Sequence, residues 1–137
     1  MSKQKHNKYR DTGIFILRLG FGIMFIYHGF PKVLGGVDEW EKIGSDMNLL
    51  GISFLPVFWG FMCAISEFGG GVLFILGLFT RFAAVLMLIN MIVAAYSHIA
   101  KDHSISGAAH AIEDGIVFLS FIFIGSGRYS LDTLIAG

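Results

Sequence analysis

Charge is what this sequence has least of. Only 15% of its 137 residues are Asp, Glu, Lys or Arg, and ten cations balance ten acids to a formal net charge of zero. No basic stripe exists to neutralise phosphates, which excludes nucleic acid as a partner. Cysteine is nearly absent. Cys63 stands alone, so neither an internal disulfide nor a CxxC redox pair can form, and its apolar setting reads as a packing position. No phosphate-cradling loop is found: Gly69-Gly70-Gly71 lies inside an apolar helical run. There is no Ser/His/Asp arrangement in a supporting context, no flavin or iron–sulfur motif, no internal repeat and no low-complexity segment.

What fills the chain instead is apolar side chain. Hydrophobic residues make up 55%, and mean hydropathy is +0.70. A soluble domain of this size needs far more polar surface, so lipid is the expected solvent. Crossing ~30 Å of hydrocarbon takes roughly 17–25 helical residues. Four stretches, about 13–30, 57–79, 82–100 and 108–124, meet or approach that length. Open strands in lipid would leave backbone groups unsatisfied, so all four are expected to be helices. The expected fold is an all-α integral membrane four-helix bundle, antiparallel, with one domain over 13–132 between tails at 1–12 and 133–137. The second-to-third connection, read as Thr80-Arg81, is tight enough to force antiparallel neighbours.

The N-terminal MSKQKHNKYR resembles the charged start of a signal peptide. No small-residue cleavage site follows the first span, and Pro31-Lys32 is expected to end it, so the segment reads as a retained signal-anchor. Lys3, Lys5, Lys8, Arg10, Arg81 and Arg128 fall on one side of the membrane, and Lys32, Lys42 and Lys101 on the other. The excess puts both termini in the cytoplasm. Between the first two spans, Val37, Trp40, Ile43, Met47 and Leu50 recur near helical spacing among acids and lysines. That pattern suits a short amphipathic helix, either lying at the outer interface or capping the bundle.

Ionisable groups inside spans are costly and face the bundle interior or a water-filled cavity. Measured from the cytoplasmic end of each span at ~1.5 Å per residue, Arg18 lies at ~8 Å, Asn90 at ~12 Å, Asp114 at ~15 Å, and Glu113 and Glu67 at ~17–18 Å. All four helices thus feed one polar layer. His28, His98 and His110 form a second layer at roughly 21–24 Å, which His103 in the next loop could join. His110, Glu113, Asp114, Val117 and Phe121 share one face of the last span. Gly60, Ala64, Glu67 and Gly71 line a face of the second, and Arg18, Gly22 and Gly29 a face of the first; such small residues let backbones approach closely.

Arg18 and Glu67 read either as a structural ion pair or as substrate- and proton-handling groups, because a lone buried pair gains little over apolar packing. Three acids against one buried arginine leave an excess carboxyl that must be protonated or near water, which suits proton handling. The candidate catalytic residues are therefore Glu67, Arg18, Glu113 and Asp114. His28, Asn90, His98, His110 and Phe25 are candidate ligand contacts. The histidines read as hydrogen-bonders, with metal or haem as a lesser alternative; no metal site is assigned. Asn90 also reads as a helix–helix hydrogen bonder. The fourteen phenylalanines read mainly as lipid-facing or packing residues, while Phe21, Phe25, Phe61, Phe68 and Phe121 could wall an apolar cavity.

The same positions carry a resemblance. Arg18-Leu19-Gly20 with His28-Gly29-Phe30-Pro31-Lys32 resembles the opening signature of the DoxX family. Glu67-Phe68-Gly69-Gly70-Gly71, followed by Leu76-Gly77-Leu78-Phe79-Thr80-Arg81-Phe82-Ala83-Ala84, resembles its middle. Glu113-Asp114 and Gly125-Ser126-Gly127-Arg128-Tyr129-Ser130-Leu131-Asp132 resemble its close. The resemblance implies a four-helix bacterial inner-membrane protein associated with respiratory or detoxifying redox systems. One branch resembles the membrane subunit of thiosulfate:quinone oxidoreductases, but no separate soluble domain for thiosulfate is expected here. The leading expectation is a quinone-interacting or accessory subunit in the lipid bilayer, served by a redox partner protein, with quinone or another small apolar molecule as ligand. A non-enzymatic permease, working as a homo-oligomer, or a membrane scaffold for a partner protein is the alternative.

Overall fold

The computed structural model describes residues 8–102 and 105–136. Lys3, Lys5 and His103 lie outside them. Among the described residues the order is α1 (Lys8–Leu34), α2 (Gly36–Gly44), a 3-10 turn (Ser45–Leu50), α3 (Pro56–Leu76), α4 (Thr80–Asp102), α5 (Ile105–Ile124) and α6 (Leu131–Ala136). Three of these helices are long and apolar enough to cross a membrane: Lys8–Leu34, Pro56–Leu76 and Thr80–Lys101. This is an all-helical membrane protein. α5 carries both Glu113 and Asp114 and packs along α4.

Two boundaries differ from expectation. Pro31 was expected to end the first helix, yet α1 continues to Leu34. Proline removes one backbone donor, but Trp40 Nε1 donates to the Lys32 carbonyl at 2.8 Å and Lys32 itself pairs across to α3, so the last turn has outside support. The chain then turns at Gly36, with φ 82°. The second difference is the α3–α4 connection. Gly77, in the left-handed region at φ 67°, ends α3, and Thr80 and Arg81 already belong to α4. Phe79 also takes a positive φ of 49°. That conformation is costly for an aromatic residue, and the backbone N–H groups of Phe79 and Thr80 are both taken by the Asp132 carboxylate, at 2.7 and 3.0 Å.

Small residues set the packing. Gly22 on α1 and Gly71 on α3 meet back to back: a Cβ on either would lie 2.7 Å from the other's carbonyl oxygen. Gly29 is pressed against the Phe68 backbone in the same seam. The amphipathic segment docks on α3 by the same means, for Gly44 abuts the Pro56 carbonyl and Gly60 the Trp40 carbonyl. Thus α2 packs against α3 through backbone contact as well as through half-buried Trp40 and Ile43, while Val37 and Leu50 of the apolar stripe stay exposed. Behind the seams, Phe25, Phe74, Met87, Phe118 and Phe121 form the core with Ala83 and Ala84. Phe74 meets Phe118 and Phe121 edge-on at 5.5 and 5.0 Å, favourable aromatic geometry. α3 packs chiefly on α1 and α2, and α4 on α5; contact between α3 and α4 is thinner.

Candidate functional site

The polar residues that depth arithmetic gathers into one layer separate into three groups. The first surrounds Arg18, which is fully buried. It does not pair with Glu67 or Asp114. One guanidinium nitrogen donates to the Phe74 carbonyl at 2.9 Å and lies 3.5 Å from the Ile75 carbonyl, while the other donates to the Tyr129 carbonyl. Phe74 and Ile75 are in the last turn of α3, where carbonyls lack intrahelical partners and a cation is favoured. Arg18 therefore closes α3. Arg81 treats α5 alike, donating to the Ile122 and Phe123 carbonyls at 2.9 and 3.3 Å. Asp132 completes this end by holding the start of α4, and its own N–H donates to the Gly77 carbonyl at 2.8 Å. Partial burial pushes the Asp132 carboxyl up, but the Thr80 and Phe79 amides and the nearby Arg18 charge outweigh it and hold the carboxyl below its ordinary value.

The second group faces a cavity of about 480 Å³ between α3, α4 and the 3-10 turn. Lys32 Nζ lies 2.9 and 3.1 Å from the two Glu67 carboxylate oxygens. The Glu67 side chain is only 6% exposed, against 33% for Lys32. The Cys63 thiol points at the same carboxylate, 3.7 Å from Oε2, and Asn90 Nδ2 lies 3.5 Å from the Cys63 carbonyl. Asn90, Ser97, His98 and Lys101 line the α4 wall; eleven residues of helix rise make that wall ~16 Å long. Met47, Trp59, Met62, Ile89 and Val93 supply apolar surface. At the outer rim Lys101 Nζ pairs with Asp46 Oδ1 at 2.8 Å, both side chains partly exposed. Ser97 is buried, and its hydroxyl has no hydrogen-bond partner among the described residues.

The third group sits between α1 and α5. His28 and His110 rings are 6.3 Å apart, and His110 Nδ1 is 3.4 Å from Asp114 Oδ2. With Phe21 and Phe25 they line a separate groove of about 330 Å³. His98 is not with them, so the three histidines form no single cluster. Glu113 is exposed and lines neither space. Phe121 belongs to the core, Phe61 packs on Trp40 at 4.9 Å and Phe68 on Phe30 at 6.0 Å.

Sequence reasoning reached Glu67, Asn90 and His98 but missed Lys32, Cys63 and Ser97. Lys32 was legible. Arg18, Gly22, Phe25, Gly29 and Lys32 follow one stripe at steps of three and four, and reading Pro31 as a stop cut the stripe short. Ser97 offers no such signal.

Residues 13–100, the segment holding Arg18 and the cavity wall as far as Ser97 and His98 but not Lys101, match the DoxX family. The chain belongs to the DoxX family. An uncharacterized protein of Haemophilus influenzae is 31% identical over 138 residues, covering 91% of this chain and 92% of that one. "Putative oxidoreductase CatD" of Bacillus subtilis is 36% identical over 86 residues, covering 63% of this chain and 59% of that protein. No solved structure matches. In this DoxX protein the family match stops short of α5 and α6, so the His110–Asp114 pair and the Asp132 clasp lie beyond it.

Proposed function

We propose that this protein is a quinone-interacting accessory subunit of a membrane redox system, binding the quinone head in the Lys32–Glu67 cavity. One observation carries the reading: a buried carboxylate paired with a lysine faces a mainly apolar cavity large enough for a ring compound. The donor set fits. Lys32 Nζ and the Asn90 amide can each donate to a ring oxygen. Met62 and Ile89, exposed on the two edges of the cavity, leave a lateral way in for a chain from the bilayer. A bound quinone would take up two electrons and two protons, the electrons coming from a partner protein. This chain's part is to orient the head and to hold a proton at Glu67, whose contact with Lys32 connects it to the rim. The oxidoreductase name of the Bacillus relative agrees with a redox setting.

The accompanying topology is four spans in antiparallel order, one domain over 13–132, in the inner membrane with both termini cytoplasmic. Lys32, Lys42 and Lys101 then face outward with the cavity rim. Past Glu67 and Leu86, α3 and α4 run on into the buried Phe74, Ala83 and Ala84. A cavity closed at that end supports ligand binding over a transport path. Arg18 and Glu113 have no part in the site; Arg18 serves α3, and Asp114 belongs to the other groove.

The test is a short-chain quinone titrated into the detergent-purified protein, followed by quenching of Trp59 in the cavity wall. Glu67→Gln, which keeps a hydrogen-bond acceptor for Lys32 but removes the charge, should weaken binding about tenfold, the worth of one hydrogen bond to a charged group, in a variant that still melts cooperatively. Equal affinity in Glu67→Gln and parent would defeat the reading.

A further inference from the structure

The groove between α1 and α5 has no role in the reading above and shares no residue with its cavity. It runs along α1 from Ile16 to His28, twelve residues and therefore ~18 Å of helix. That is more than half of the ~30 Å hydrocarbon thickness. Its wall is apolar. Phe21 and Phe25 lie against Phe118 of α5 at 5.8 and 5.1 Å, and the lips Ile16, Leu17 and Met24 are 62, 42 and 50% exposed. The space beside position 20 is open: a Cβ on Gly20 would meet nothing within 4 Å.

Polarity is confined to one end. His28 and His110 stand there with buried Asp114 behind. His110 Nδ1 faces the Asp114 carboxylate, which orients the ring and leaves Nε2 for a ligand. Among the described residues no lysine or arginine lines the groove. A phosphate or sulfate head would find a carboxylate and no fixed cation, an unfavourable place for an anion. An uncharged head that both donates and accepts finds partners.

We propose that this groove is a second binding site, for a single-chain neutral amphiphile. Its alkyl or prenyl chain lies along Phe21, Met24 and Phe25, and its hydroxyl or carbonyl end is held by His28 and His110. Annular bilayer lipid touches every exposed helix face alike; this ligand is selected by the one slot that ends in a histidine–carboxylate pair.

The experiment uses hexadecanol carrying a diazirine in mid-chain, photolysed with the full-length protein in detergent, with labelled peptides mapped by mass spectrometry. Labelling should saturate and concentrate on α1 and α5. Gly20→Phe fills the slot without touching the fold and should cut labelling about tenfold, matching the loss of a few buried methylenes. Should Gly20→Phe lower the melting temperature, Gly20→Leu takes its place. His110→Ala should weaken saturation, and hexadecyl phosphate should compete less well than hexadecanol. Labelling persists in Glu67→Gln, since the two sites are separate. Labelling spread evenly over the helices, unaffected by a filled slot, or displaced best by the phosphate would overturn the proposal. So would its loss in Glu67→Gln, which would mean a single shared site.

Discussion

Arg18 and Glu67 are both buried ionisable side chains in apolar helices, yet they are held in opposite ways. Arg18 is fully buried and bound by backbone carbonyls of other segments. Glu67 is bound by side chains, the flexible Lys32 and the Cys63 thiol, and opens on free volume. Backbone partners come with the fold and cannot rearrange without undoing a helix end. A lysine partner can swing away. The first arrangement holds the helices together, and the second leaves a charge available for chemistry.

The strongest way to break this contrast is Arg18→Ala. It strands the last carbonyls of α3 and the Tyr129 carbonyl in a buried setting, and should cost about 3–5 kcal/mol, the usual penalty for leaving a buried charged network half made. The expected result is loss of the folded band in detergent thermal melts. Arg18→Lys should recover only part, because one ammonium cannot span three carbonyls held by a planar fork.

Asp132→Asn should come next, at about 1–2 kcal/mol, since it weakens two charge-assisted bonds at a partly exposed helix start. It also tests pH dependence. The folded Asp132 carboxyl titrates below its ordinary value of ~3.9, so its contribution is present above about pH 4 and is lost as pH falls through the folded value. Thermal melts at pH 7 and pH 3 should differ less in Asp132→Asn than in the parent.

Arg81→Ala removes a cap from exposed carbonyls and should cost only about 0.3–1 kcal/mol. The smallest effect sharpens the comparison most. The double variant Lys32→Met with Glu67→Leu replaces both partners by apolar groups, a change often neutral or stabilising for a buried pair. Its melting temperature should match or exceed the parent's while quinone quenching disappears. A large loss of stability would place Glu67 in the same class as Arg18.

Much of this molecule can be read from its residues. Apolar runs of helical length leave a chain no stable alternative to helices in lipid, and the small residues Gly22, Gly29, Gly60 and Gly71 mark the seams because only they admit a neighbouring backbone. The polar residues are legible as a set, for each is too costly in an apolar run to be idle. Their partners are not. A depth estimate gives one coordinate along each helix, and Arg18, Asn90 and Glu67 fall within ~10 Å of one another on that scale. Which way each side chain turns depends on helix rotation and on where the connections fold back. The α3–α4 turn and the 125–132 segment bring Tyr129 and Asp132 to Arg18, and the unbroken last turn of α1 brings Lys32 to Glu67. Residue type and spacing determined a helical membrane protein with buried charge. Tertiary structure alone decided which charge became a clasp and which was left beside a cavity, because that choice rests on contacts between residues as many as 111 positions apart.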